Sequence, residues 1–173
     1  MLAYVFLLIA VAVRFLPHPL AFTPVGAALL YFGARGSRKM LWLPIAALAA
    51  SDVYLTIVHY GYPLTPDHFI TWIWYAGILL LGVAALGRNP RPLALGAAAL
   101  GTAVSFFLAS NFAVWAVWNM YPKTLSGLMM CYAAALPFFR NELASDLFFT
   151  AVMFAIPIAV EAIRPAGAPA KAA

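Results

Sequence analysis

Charge is what this 173-residue chain has least of: 9% of its residues are Asp, Glu, Lys or Arg, against roughly 25% in a soluble domain. Ten Lys/Arg, five Asp/Glu and three His cannot cover the surface of a water-soluble globule of this size. One cysteine, Cys131, excludes an internal disulfide framework and any multi-cysteine metal site. No Gly-rich phosphate loop of the Walker A type is present, so the chain carries no ATPase motif. No period of 20–50 residues recurs, which argues against a repeat architecture. The amino-terminal run lacks a basic leader and a small-x-small cleavage site before Arg14 and Pro17, so it reads as a retained helix and not as a removable signal.

Apolar surface fills the place that charge leaves. The apolar residues make up 66% and the aromatics 15%, which excludes disorder and makes lipid the natural solvent. The net charge of +5 comes from basic residues scattered in twos and threes between apolar runs. It sets topology and does not form the stripe that binds nucleic acid. A helix rises about 1.5 Å per residue and needs about 20 residues to cross about 30 Å of hydrocarbon. The runs 2–16, 40–58, 69–86, 93–118 and 143–163 read as spans. A sixth, 20–34, opens at Thr23-Pro24 and stops at Gly33-Ala34-Arg35-Gly36, with a regular part of only about 16 Å. The preceding Pro17–Phe22 stretch therefore enters membrane depth in irregular form, which is tolerated where protein buries it or where it lines a cavity. The apolar stretch 124–139, which includes Pro137, reads as an extra interfacial or re-entrant helix in loop five. The expected fold is an all-α integral membrane protein, a six-helix bundle with a short or broken second helix, forming one domain over residues 1–164 with a flexible cytoplasmic tail at 165–173.

Orientation follows from Lys/Arg bias in short loops. Arg35, Arg38 and Lys39, then Arg88 and Arg91, then Arg164 and Lys171 fall on one side, so both termini are expected in the cytoplasm of a bacterial inner (cytoplasmic) membrane. Polar groups at the helix centre cost about 2.5–3.5 kcal/mol or more each, which makes their depth informative. Arg14 and Asp52 both lie about 20 Å from the cytoplasmic ends of their spans. Helical spacing puts Asp52, Thr56 and His59 on one face, Asn111, Trp115, Trp118 and Asn119 on neighbouring turns of another, and Glu142, Asp146 and Thr150 on a third. His18, Tyr121, Cys131, Tyr132, Arg140 and Asn141 end in the loops at the same depth. An outward-facing pocket with aromatic walls and a few convergent polar groups is expected there. Its candidate substrate-binding residues are Arg14, His18, Asp52, Asn111, Trp115, Asn119, Tyr121, Cys131, Tyr132, Arg140, Asn141 and Asp146.

Each of these residues also has a plainer role. Arg14 either snorkels to headgroups or staples to Asp52. Trp72 and Trp74 suit an interfacial aromatic belt, His18, His59 and His68 suit helix ends, and Met129, Met130 and Cys131 suit packing. The pairs Ala46/Ala50, Ala94/Ala98, Ala97/Gly101 and Ala99/Ala103 let helix backbones approach closely.

The string RFLPHPLAFTPVGAALLYFGARGSRKMLWLPIAALAASDVYL, with SNFAVW and CYAAALPFFRNELASDLFFTAVMF, resembles a family of small bacterial inner-membrane proteins. That family looks like the substrate-binding S components of energy-coupling factor (ECF) vitamin transporters, with six helices, both termini inside and a site roofed by loops one, three and five. The resemblance runs from about Arg14 to Phe154. It implies high-affinity binding of a small vitamin-like solute at the outer face, and release through a partner ECF-type transmembrane subunit driven by cytoplasmic ATPases. Span one has Ala3, Ala10 and Ala12 but lacks the Ala-x-x-x-Ala pair with which S components dock. Cys131 or His18 would serve as an axial ligand only if the solute were a cobalamin; otherwise no cofactor or metal is implied. The expected function is thus a binding and translocation subunit, with lipid and a small solute as partners. The alternatives are a membrane enzyme, with Cys131 or a serine as nucleophile and His18 or His68 as base, and a scaffold with a filled outer face.

Overall fold

The computed structural model describes residues 1–17, 21–87 and 90–163. Among them are six α-helices: α1 Leu2–Val13, α2 Val25–Arg35, α3 Trp42–Tyr54, α4 Asp67–Ala85, α5 Pro92–Val117 and α6 Leu125–Ala162. A 3-10 turn at Arg38–Met40 leads into α3, and a π-helical turn at Leu55–His59 continues it. Four segments are long and apolar enough to cross a membrane: Arg38–His59, Asp67–Ala85, Pro92–Val117 and Leu125–Ala162. The tail 165–173, with Arg88, Arg164 and Lys171, lies outside the described residues.

The short helix α2 is the centre of the bundle. Every residue from Val25 to Gly33 is buried, because α1, α4, α5 and α6 all pack around it. A helix apolar on all sides has this one stable place, in the interior. Tyr31 locks it between α1 and α6, with ring centroids 4.8 Å from Phe6 and 4.9 Å from Phe154. Glycines set its crossing with α4. A Cβ on Gly33 would lie 2.1 Å from the Leu79 carbonyl oxygen, and one on Gly82 would lie 2.3 Å from that of Leu30. Two backbones in van der Waals contact leave no room for a side chain at either point.

Three expectations need correction. The stretch 124–139 is no separate interfacial or re-entrant helix, because α6 runs unbroken from Leu125 to Ala162 through Pro137 and Pro157. A proline removes one intrahelical hydrogen bond, but packing on both sides can carry the helix past it. Here the Phe107 ring of α5 touches Tyr132 before Pro137 (5.4 Å) and Phe139 after it (4.8 Å). At about 57 Å, α6 is longer than the bilayer hydrocarbon. Second, the amino-terminal cap of α2 is Pro24, one residue later than Thr23, whose carbonyl instead accepts a 2.7 Å hydrogen bond from the Ser145 hydroxyl. Third, the proposed stripe Asp52–Thr56–His59 ends at Thr56. The π-helical turn winds fewer degrees per residue than an α-helix, and His59 is carried to an exposed position.

Candidate functional site

The carboxyl ends of α1 and α3 and the amino ends of α2 and α4 meet at one end of the bundle. Arg14 follows the last turn of α1, and its guanidinium donates to the Ser51 hydroxyl (2.8 Å), to the Leu48 carbonyl (3.4 Å) and to the Asp52 carboxylate. Asp52 also accepts from the Trp72 indole (2.9 Å) and the Tyr75 hydroxyl (3.4 Å). One carboxylate thus ties α1, α3 and α4 together. The ion pair is largely dry, with side chains 15% and 10% exposed. Ionised donors and acceptors in such surroundings make the stronger hydrogen bonds of a protein interior.

Beside this hub lies a hollow of about 300 Å³. Arg14, Asp52 and Tyr75 reach its wall from the hub, Thr56 and Tyr60 from the π-helical turn and its end, Trp74 and Phe106 from α4 and α5, and Glu142 and Asp146 from α6. Ala21, Thr23, Val25, Gly26 and Leu55 complete it. Ala21 holds the left-handed conformation at φ 59°, which disfavours a residue with a Cβ. Of the chain ahead of α2, Ala21 and Thr23 border the cavity, while residues 18–20 lie outside the described residues. The amino end of α2 has no side-chain cap, so its first N–H groups lack an intrahelical acceptor and carry the positive end of the helix dipole. Gly26 sits against Asp146: a Cβ there would fall 2.4 Å from Asp146 Oδ1 and 2.6 Å from Thr102 Cγ2. Asp146 is 3% exposed, and its Oδ2 has no hydrogen-bond partner among the described residues. One turn on, the buried Thr150 hydroxyl is also unpartnered.

The twelve residues expected from the sequence divide into groups. Arg14, Asp52 and Asp146 line the hollow. Four of the others bond within α5, or between α5 and α6 or the turn that joins them. The Asn111 amide donates to the Phe107 carbonyl (2.8 Å), the Trp115 indole to the Pro122 carbonyl (2.9 Å), the Cys131 thiol to the Asn111 carbonyl (3.4 Å) and the Tyr132 hydroxyl to the Leu108 carbonyl (2.9 Å). Asn119 and Tyr121 sit in the α5–α6 turn, Arg140 is exposed and Asn141 is half-buried. None of these eight is on the wall of the hollow. His18 lies outside the described residues. His68 bridges α3 to α4, its ring nitrogens bonding Thr56 (3.0 Å) and the Thr65 carbonyl (3.1 Å). Sequence reasoning passed over Trp72, Trp74 and Tyr75, because aromatics near a membrane surface read as belt residues. It noted Glu142 only as part of a stripe, although the i, i+4 spacing to Asp146 was the available signal.

Fold and site together define a helical protein with membrane-length apolar helices gathered around one short buried helix and a polar hollow at its amino end. The chain belongs to the DUF6580 family, a family of unknown function, whose model matches residues 1–166. No curated protein and no solved structure matches it.

Proposed function

We propose that the protein is a membrane-embedded receptor for a small organic solute, with its site at the extracytoplasmic end of the bundle. One observation carries this reading: Arg14, Asp52, Glu142 and Asp146 share a single hollow with Tyr60, Trp74, Tyr75 and Phe106. Ligand sites combine apolar and aromatic walls with a few converging polar groups, whereas a purely structural bundle gains nothing from leaving a buried carboxylate oxygen unpartnered. The sidedness rests on Arg35, Arg38, Lys39 and Arg91, which all lie at the end of the bundle away from the hollow. By the positive-inside rule that end faces the cytoplasm.

The resemblance to ECF S components fits this reading. The chain would bind its solute from outside and hand it on within a partner membrane subunit energised by cytoplasmic ATPases, having no Walker A loop of its own. A hollow of about 300 Å³ takes a compact molecule and not a corrin macrocycle with its nucleotide arm. Cys131 lies away from the hollow, its thiol donating to the Asn111 carbonyl, and His18 lies outside the described residues. Of the two histidines that could serve a thiol nucleophile as base, the His68 ring is engaged by Thr56 and Thr65.

The test is recovery of the solute. Protein purified from membranes in mild detergent carries a small molecule identifiable by mass spectrometry, and Thr56→Trp, which fills the hollow from its wall, abolishes the recovery while leaving the melting temperature within a few degrees. If the wild type yields no solute and takes none up from a metabolite mixture in equilibrium dialysis, the receptor reading is wrong.

A further inference from the structure

We infer that the hollow selects a compact organic cation, a protonated amine or quaternary ammonium carried on an apolar body. This rests on the reading of the hollow as a solute site and names the class of solute. Charge is the first ground. Arg14 is the one cationic side chain on the wall among the described residues, and it is consumed by Asp52. Glu142 and Asp146 remain, and among the described residues neither has an ion pair. They form a pair of carboxyl groups one helical turn apart on α6, both on the wall of the hollow, and the counter-charge they lack within the protein is one a solute can bring.

The second ground is Asp146, a residue of the wall that is 3% exposed and whose Oδ2 has no hydrogen-bond partner among the described residues. A buried carboxylate with no donor costs free energy, and the protein has kept Gly26 free of a side chain where that carboxylate sits. An N–H donor bearing positive charge is the group that relieves the cost most fully. The third ground is the aromatic share of the lining, Tyr60, Trp74, Tyr75 and Phe106, since aromatic rings attract cations through their quadrupole. Carboxyl groups and aromatic rings around one hollow fit an ammonium group with an apolar body. An anionic solute would meet two acidic groups and no free cation among the described residues.

Three probes of one shape decide it: 2-phenylethylammonium, 2-phenylethanol and phenylacetate, titrated calorimetrically into the full chain in lipid nanodiscs. The ammonium is expected to bind at least about tenfold tighter than the alcohol, the margin between charge-assisted and neutral hydrogen bonds, and phenylacetate is expected not to bind. Glu142→Gln, on a half-buried position that leaves the fold intact, lowers the ammonium affinity about tenfold and leaves the alcohol unchanged; Asp146→Asn does the same. Equal or tighter binding of the alcohol or of phenylacetate overturns the cation inference and leaves the hollow as a solute site. Failure of the ammonium to bind overturns it as well. If none of the three binds and the wild type also yields no solute from membranes, the receptor reading falls with it.

Discussion

Replacing Asp52 by alanine removes the acceptor that three helices share. Arg14 would keep the Ser51 hydroxyl and the Leu48 carbonyl but lose its counter-charge at a site where its side chain is 15% exposed. Breaking a buried pair from one side costs about 3–5 kcal/mol, because the remaining charge stays buried and uncompensated. The Trp72 indole and Tyr75 hydroxyl lose their acceptor too, which adds about 1–3 kcal/mol for each donor that water does not reach. Asp52→Ala should therefore cost at least about 4 kcal/mol, a large share of the 5–15 kcal/mol that holds a typical domain together. Removing both charges by Arg14→Met with Asp52→Leu should cost markedly less than Asp52→Ala alone, since a well-packed apolar pair often equals a buried ion pair. Urea or SDS titration of wild type, Arg14→Met, Asp52→Leu and the double variant in one detergent, followed by tryptophan fluorescence, gives the coupling energy as a double-mutant cycle. A coupling below about 1 kcal/mol, with Asp52→Ala near neutral, would mean that water screens the pair and would refute the hub as a staple.

Gly33→Ala and Gly82→Ala each put a methyl group into the backbone of the facing helix, 2.1 Å and 2.3 Å from a carbonyl oxygen. Each should lower stability by about 1–3 kcal/mol or more, seen as a fall in melting temperature, whereas Gly77→Ala, with nothing within 4 Å of its Cβ, should be neutral. Cys131, 3% exposed, should react with a maleimide only after unfolding. Cys131→Ala should leave recovery of the solute unchanged, and lost recovery with intact folding would revive the enzyme reading. Trp72→Phe keeps the ring and loses the indole bond to Asp52, and should cost about 1.5–3 kcal/mol, read in the same denaturant titration.

The helices were legible in the sequence wherever an apolar run ended at charge or glycine. The segment α2 stands between Thr23-Pro24 and the Gly33–Gly36 stretch almost as its residues announce. The break at 139–142 was misread, because Pro137 followed by Arg140, Asn141 and Glu142 has the local chemistry of a helix end. What carries α6 through is contact with α5, and no single-chain periodicity records such a contact. In the site, depth was readable and direction was not. Arg14 and Asp52 lie at equal height and do meet. Asn111, Trp115 and Asn119 lie at a similar height and turn toward the α5–α6 seam or the solvent. Helical spacing fixes which residues share a face of their own helix, while the neighbour that face meets is set by packing of the whole bundle. Trp72 and Trp74 were hidden for the same reason, since an indole facing lipid headgroups and one facing a buried carboxylate look alike in sequence.

Three departures from regular backbone border the same hollow: the left-handed Ala21, the π-helical turn that carries Leu55 and Thr56, and the uncapped start of α2. Each is unfavourable by itself. A left-handed alanine costs about 1–2 kcal/mol, a π-turn strains the helical ladder, and free amide groups at a helix end need partners that water or a ligand must supply. Scattered through the bundle, such features would read as accidents of packing. Gathered around one space, together with a carboxylate oxygen that has no donor, they have a common effect: they hold open a volume that ideal helices of this sequence would close. The cost of such irregular backbone is intelligible when something other than protein occupies the space for part of the time.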